Sequence, residues 1–163
     1  MARRSIFPVL YTLAARAPRL TASAFRTRLT TALANHFGAL SCVLHTDASG
    51  RASARAGSAP ELADLPRLDR AQIETIEARL VKRVIEEDQM RSTLNLDDGV
   101  EVDAFMRSRI GEYDVFAFPL RAGDGGPIAA LVLYLGENSQ PLGGEDLPAL
   151  GSIGHMFPLV GAA

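Results

Sequence analysis

The sequence contains a single cysteine, Cys42, and no tryptophan among its 163 residues. One cysteine excludes an intramolecular disulfide framework and fits a reducing compartment such as the cytoplasm, which is the location we expect. It also excludes a relay between two thiols of the same chain, and with it the redox catalysis that depends on such a relay. At this length one domain can bury a sizeable core without disulfides or a structural metal.

Long apolar runs are missing as well. The longest strongly apolar run extends from Ile128 to Leu135, whereas a membrane-spanning helix needs about 20 residues. We therefore expect no membrane span. The composition is otherwise typical of a soluble globular protein, with 47% hydrophobic and 22% charged residues and a net charge of −2.

Acidic residues are absent before Asp47, although six arginines precede it. The rest of the chain carries 11 of the 17 basic residues and all 19 acidic residues, a balance of −8. Residues 1–20 therefore form a basic N-terminal segment, which fits a transit peptide, a basic arm or a first helix. A short basic segment alone provides only non-specific attraction to phosphates, and the rest of the chain is acidic. We therefore do not expect nucleic acid as a partner.

Residues that could perform catalysis or bind a metal are sparse. Cys42 and His45 are three apart on a predicted strand, so their side chains point to opposite faces, and no other pair shows metal-ligand spacing. The acidic clusters at 86–88 and 97–98 fit solvated helix and turn positions. The GDGG stretch lacks a following lysine and leads into a strand, so it is not a phosphate loop. We expect neither a metal site nor an enzyme.

Apolar spacing predicts the main elements. Thr21 to Phe37 repeats apolar residues every four positions and stops before Gly38, as helices commonly do. A second helix is predicted from Asp69 to about Met90 and a last one from Asp146 to Phe157. ALSCVLHT and RASARA, joined by the turn DASG, predict a first hairpin.

The stretch from Val115 to Leu135 holds two apolar runs around RAGDGG and predicts a second hairpin. A turn centred on Asp124 puts the aromatic residues Phe116, Phe118 and Tyr134 on one face. Both faces of this hairpin are apolar, so both are expected to be covered by other layers. The hairpin is therefore predicted to lie at the centre of a sheet.

This order of elements, with the stretch FAFPLRAGDGGPIAALVLYLGENSQPLGGEDLPALGSIG, resembles that of a GAF domain. HFGALSCVLHTDASGRASARAG is similar to the end of the first helix and the first hairpin of that family. The likeness covers roughly residues 22 to 158, and the motifs that carry it are packing patterns rather than chemical signatures. Roadblock-type domains, which have a related layered sheet and a similar first hairpin, remain as an alternative, and PAS domains are a third.

The resemblance implies an α+β fold with an antiparallel sheet of about five to six strands. The first and last helices would cover one face, and middle helices and loops would enclose a small-molecule pocket on the other. We assign residues 21–163 to this single domain. Because no output domain follows in this sequence, we expect a non-enzymatic sensory or regulatory domain that acts through protein association, as a homodimer or with a separate output protein.

The pocket implied by the resemblance has an aromatic wall and a roof from the middle of the chain. Small-ligand sites are apolar concavities with a few polar groups. The residues that we expect to bind a ligand are Phe116, Phe118, Tyr134, Asn95, Arg107 and Arg109. No residue pattern identifies the ligand or a cofactor: the cysteines of free methionine sulfoxide reductases, the bilin-attachment motifs and the cyclic-nucleotide motif of GAF proteins are not found. The alternative is a structural interaction module whose pocket is filled by its own side chains.

Overall fold

A computed structural model describes residues 4–47, 49, 51–65, 70–92, 113–121 and 127–156. In these segments, five strands form one sheet in the order β2-β1-β5-β4-β3, and every neighbouring pair is antiparallel. The strands are β1 (Ser41–His45), β2 (Ala54–Ala56), β3 (Arg91–Ser92), β4 (Asp114–Arg121) and β5 (Pro127–Leu135). The prediction of an antiparallel sheet with the second hairpin at its centre is confirmed.

Helices cover both faces of the sheet. They are α1 (Phe7–Arg16), α2 (Ala22–Phe37), α3 (Arg70–Glu87), α4 (Asp146–Gly151) and α5 (Ile153–Met156), with short 3-10 turns at Ala17–Arg19 and Leu62–Asp64. Gly38 ends α2 in the left-handed conformation with φ 61°, which glycine adopts without a steric penalty. The predicted last helix is interrupted at Ser152, so it forms two short helices.

Two hydrophobic cores lie on the two sides of the sheet. The first packs α1, α2, α4 and α5 against one face and contains Leu10, Leu29 and Ile153. The second packs α3 against the other face and contains Leu80 and Val132. First and last helices therefore share one face while α3 covers the opposite one, which confirms the predicted α+β layering.

The second hairpin contains a bulge that the sequence did not reveal. Arg121 pairs with Pro127, but Leu120 pairs with Ala129, so the register shifts by one residue between the two pairs. A shift of one residue exchanges the faces of all following side chains. Phe118 consequently joins the first core and Tyr134 the second, and the prediction that they share a face is wrong.

The basic N-terminal segment contributes to the first core. Ile6, Leu10 and Leu13 are buried there, on the inner side of α1. At its start, the Arg4 guanidinium donates to the main-chain carbonyl of His36 at 2.9 Å. α1 therefore packs on the domain through its apolar side.

Replacing Thr21 with alanine is expected to lower the free energy of unfolding by about 1 kcal/mol. The Thr21 hydroxyl accepts a hydrogen bond from the Ala24 amide at 3.1 Å and so caps the first turn of α2. Urea unfolding followed by circular dichroism measures the change. Ser23→Ala, an exposed change in the same turn, is the control and should fall within about 0.5 kcal/mol of the wild type.

Candidate functional site

A buried carboxylate, Glu77, organises a polar cluster between α3 and the sheet. Its Oε1 atom lies 2.7 Å from Nε2 of His45 and 2.8 Å from Nη2 of Arg55. Its Oε2 atom accepts a second hydrogen bond from Arg55, at 3.3 Å, and one from the hydroxyl of Tyr134. Glu77 is only 3% exposed and His45 is fully buried. Both oxygens of a buried carboxylate are therefore satisfied, as burial of a charge requires.

The sheet register brings the three partners of Glu77 together. Val43, in the middle of β1, pairs with Arg55 on one side and with Val132 on the other. His45 lies two residues along β1 and Tyr134 two residues along β5, so all three partners share the face that α3 covers. Glu77 lies within the buried face of α3, one turn before Leu80 and Val81. Its side chain extends from α3 toward the sheet, where it contacts these three partners.

The electrostatics of the cluster favour an ionised Glu77. Burial by itself would raise the pKa of the Glu77 carboxyl, but the His45 hydrogen bond, the charge of Arg55 and the bonds from Tyr134 and Arg55 outweigh it. The net effect is a pKa below the ordinary value of the group. Burial and the neighbouring Glu77 charge raise the pKa of Tyr134, which therefore stays a neutral hydrogen-bond donor.

Two polar atoms beside this cluster lack a hydrogen-bond partner among the described residues. They are Nδ1 of His45 and the hydroxyl of Tyr113, whose ring lies 6.1 Å from that of Tyr134. Burial raises the pKa of Tyr113 to about 12. Buried polar atoms are nearly always paired with protein, water or ligand. These two atoms can therefore each form a further hydrogen bond, to a water molecule or to a ligand.

A cleft of about 720 Å³ opens next to the cluster, bounded by the β1–β2 connection, the Leu62–Asp64 turn and the first half of α3. Charged residues of both signs line it, and the others are small residues apart from Leu62. The charged lining residues are Arg51, Arg55, Glu61, Glu74 and Glu77. Its volume lies within the range of about 300–1,000 Å³ that small-molecule sites occupy, and its lining is more polar than the predicted aromatic wall.

The predicted ligand residues are distributed differently. Tyr134 belongs to the cluster below the cleft through its bond to Glu77. Phe116 and Phe118 pack in the first core, on the other side of the sheet, because of the bulge in the second hairpin. A single aromatic wall of these three residues is therefore not formed. Asn95, Arg107 and Arg109 lie outside the described residues, and their role as ligand contacts stays a prediction.

Glu77, Arg55 and His45 were not predicted as site residues. A signal was available, because Glu77 lies four residues after Ile73 and three before Leu80, inside the apolar stripe of its helix. A carboxylate inside such a stripe is rarely buried without a partner. His45, at the end of a fully buried strand, is the complementary signal.

Other reactive groups are inaccessible or isolated. Burial raises the pKa of the Cys42 thiol far above its ordinary value, so it is a poor nucleophile. Within the part of the chain that the structure describes, no three histidine, cysteine or acidic side chains are arranged to hold a metal ion. Over the same residues, no helix is both long and apolar enough to cross a bilayer.

Acidification is expected to destabilise the fold through Glu77. Because its pKa is lower in the folded state than the unfolded value near 4.3, its stabilising effect is complete above that value and is lost as pH falls through the folded pKa. Urea unfolding between about pH 7 and pH 3 measures this loss. Glu77→Gln should show a flatter pH dependence than the wild type, and equal slopes would contradict the assignment.

Comparison with known proteins places this geometry in a fold class. No protein-family model matches the chain, and no curated protein matches it. Among solved structures, it is similar to the GAF domain of a protein described as a sensor histidine kinase from Pseudomonas syringae pv. tomato. The TM-score is 0.59 at 16% identity, over 92% of this chain and 81% of the other.

A second similar structure is the GAF domain region of a protein described as a membrane protein from Geobacter sulfurreducens PCA. Its TM-score is 0.54 at 10% identity, over 91% of this chain and 92% of the other. The five-stranded antiparallel sheet, the helices on its two faces and these two likenesses define a GAF-like fold.

Proposed function

We propose that the protein is a non-enzymatic sensory or regulatory domain that binds a small ligand in the cleft beside Glu77. The observation that carries the proposal is the cleft itself, which has the size of a ligand site and borders a partly buried ion pair between Glu77 and Arg55. The GAF-like fold and the description of one similar structure as part of a sensor histidine kinase support the same assignment.

A binding role fits Glu77 better than a catalytic one. Its two oxygens are occupied by His45, Arg55 and Tyr134, and its pKa is lowered. A general base needs a pKa near the working pH and a free lone pair toward the substrate. The carboxylate instead holds Arg55 in place at the cleft, where the Arg55 side chain is 17% exposed and forms part of the lining.

The ligand that fits such a cleft is small and polar. Arg51 and Arg55 offer cationic donors, and Glu61 offers acceptor oxygens on the side of the Leu62–Asp64 turn. A molecule that carries both an anionic group and hydrogen-bond donors would pair with both sets. Asn95, Arg107 and Arg109 are proposed to add contacts from the middle of the chain, and Tyr134 to act through Glu77.

The output is proposed to pass through protein association, either as a homodimer or with a separate output protein. Occupation of the cleft would restrain the β1–β2 connection relative to α3, since residues of both line it. A ligand shifts such an equilibrium only by its difference in affinity for the two states. Light scattering after size exclusion, with and without bound ligand, measures the association directly.

The second candidate is a structural interaction module of degenerate GAF or roadblock type. The observation that favours it is the filled second core, in which Tyr113, Tyr134 and Leu80 occupy the space between sheet and α3. Such a module would have the same fold but would not respond to small molecules.

A thermal-shift screen separates the two candidates. The probes are the common amino acids, small dicarboxylic acids and nucleoside monophosphates. A ligand at about 100 times its Kd adds about 2.7 kcal/mol to stability, which raises the Tm by several degrees. The shift should disappear in Ala78→Trp, which fills the cleft, and persist in Lys82→Trp, a change at an exposed position of the same helix. If no probe shifts the wild type, the structural module is favoured.

A further inference from the structure

A second concave surface lies on the opposite side of the sheet, between α1 and α2. Its volume is about 550 Å³, and its lining comes from one side of each helix. The two helices are antiparallel neighbours, because Arg4 contacts the end of α2 at His36, while the short Ala17–Arg19 turn links the end of α1 to the start of α2. The groove therefore runs along both helices for about 15 Å, the length of the ten residues of α1.

The charge of this groove has one sign. Arg4, Arg16 and Arg28 line it, and none of its lining residues is acidic. Neither α1 nor α2 contains an acidic residue, since the first one in the chain is Asp47. Arg16 and Arg28 are exposed and form no ion pair among the described residues, so their charges are available to an external partner.

Between these charges the lining combines apolar residues with the polar residues Thr12, Thr31, Asn35 and His36. Pro8, Val9, Leu13 and Ala32 contribute to its lining. Phe7 and Tyr11 lie on α1 beside the lining residues Pro8 and Thr12 and are 42% and 68% exposed. Their rings stack on each other with centroids 6.5 Å apart. Exposed aromatic residues beside a partly apolar groove mark interaction surfaces rather than ordinary solvated helix.

The charges are distributed along the groove in a way that gives its occupant a direction. Arg16 is the last residue of α1, at the end where α1 leads into α2, and Arg4, fixed by its 2.9 Å bond to the His36 carbonyl, lies near the other end. Arg28 lies between them, in the first half of α2. An occupant that pairs with both ends carries acidic groups about 15 Å apart, or about ten residues along a helix. Between them it presents apolar side chains to the floor.

We propose that this groove binds an acidic amphipathic helix of a partner protein. A helix laid into a groove between two others places its apolar side chains on the floor and its carboxylates beside the arginines at the rim. A concave surface favours a helix over a flat bilayer. The apolar residues among the arginines, Pro8, Val9, Leu13 and Ala32, favour it over nucleic acid, because a phosphate backbone is bound by a continuous line of basic residues.

This proposal does not rest on the ligand cleft. The groove is formed by α1 and α2 over the first core, whereas the cleft lies on the α3 side of the sheet. Either site can therefore be disproved without affecting the other.

The test uses a fluorescein-labelled synthetic helix of about 18 residues with a leucine stripe flanked by glutamates. The matched control peptide has lysine in place of every glutamate. Fluorescence anisotropy should detect saturable binding of the glutamate peptide only, and the affinity should fall when salt is raised from about 50 to 300 mM. Hydrogen exchange should slow in segments 9–16 and 28–36 of the bound protein.

Charge reversal locates the contact. The double variant Arg16→Glu, Arg28→Glu should weaken the glutamate peptide at least about tenfold, and it should gain affinity for the lysine peptide. Both positions are exposed, and circular dichroism checks that the fold is retained. Lys82→Glu reverses a charge on the opposite side of the molecule and should leave the affinity within about twofold.

Several results would overturn the proposal. They are failure of the glutamate peptide to bind, equal binding of the two peptides, or unchanged affinity in the double variant. Phosphatidylglycerol vesicles and duplex DNA are tested in parallel. Binding to either in preference to the peptide would assign the groove to a membrane surface or to nucleic acid instead.

Discussion

Replacing Glu77 with alanine is expected to lower the free energy of unfolding by about 3–5 kcal/mol. The change removes the carboxylate that His45, Arg55 and Tyr134 share as a hydrogen-bond partner. Three polar groups in or beside the second core then lose this hydrogen bond. Loss of one member of a buried charged cluster costs more than the cluster contributes, because the remaining groups keep their desolvation penalty. Urea unfolding at neutral pH, followed by tyrosine fluorescence and circular dichroism, measures the loss.

Two variants show which property of Glu77 matters. Glu77→Gln keeps the size and much of the hydrogen bonding but removes the charge, so it should lie between the wild type and the alanine variant. Glu86→Gln makes the same chemical change at an exposed position of α3 and should cost less than about 0.5 kcal/mol. If Glu77→Ala cost no more than the Glu86 control, the cluster would not hold α3 on the sheet.

Replacing Gly154 with alanine is expected to destabilise the protein by about 3 kcal/mol or more, because a methyl group has no room there. A Cβ atom at Gly154 would lie 2.0 Å from the carbonyl oxygen and 2.7 Å from the amide nitrogen of Arg121, both in the backbone of β4. Neither atom can move without displacing a strand at the centre of the sheet. α5 must therefore withdraw from β4, and the first core opens with it.

Gly151 provides the matched control, in the preceding helix and three residues away. A Cβ atom there meets nothing within 4 Å, so Gly151→Ala should be neutral or stabilising by up to about 1 kcal/mol. Thermal unfolding of the two variants side by side gives the comparison. Equal stability of the two would show that α5 does not approach β4 as closely as the structure indicates.

The layered fold could be predicted because the relevant patterns are strong. α2 repeats Phe25, Leu29 and Leu33 at four-residue spacing, and all three are buried in the first core. Two apolar runs around RAGDGG predicted central strands covered on both faces, and β4 and β5 occupy these positions. The four-residue spacing indicates a helix for α2, whereas the short length of the two apolar runs and the glycine-rich turn between them indicate strands for β4 and β5.

The register of the second hairpin could not be predicted for a physical reason. Strand register is specified when one face is apolar and the other polar, since a slip would then expose the core. β4 and β5 are apolar on both faces, so a one-residue bulge between the Leu120 and Arg121 pairs carries no signature in the sequence. The assignment of Phe116 and Phe118 to the face of Tyr134 failed at this point.

The candidate site was only partly predictable. Tyr134 was recognised as a polar group on an apolar strand, but its partner comes from α3, and sequence spacing does not reveal which side chains of two layers meet. Glu77 carried a local signal, a carboxylate inside an apolar stripe, whereas Arg55 on a short edge strand carried none. The cluster depends on the pairing of β1 with both β2 and β5, which is a property of the folded sheet.

Native mass spectrometry of the purified protein tests the central claim, that the cleft beside Glu77 holds a small ligand, most directly. We predict that the wild type and Lys82→Trp carry a small-molecule adduct that denaturation releases, and that Ala78→Trp, whose added ring fills the cleft, does not. Identification of the released compound would name the ligand. An adduct retained by Ala78→Trp, or a wild type that is bare and stays bare with every probe of the thermal-shift screen, would contradict the claim.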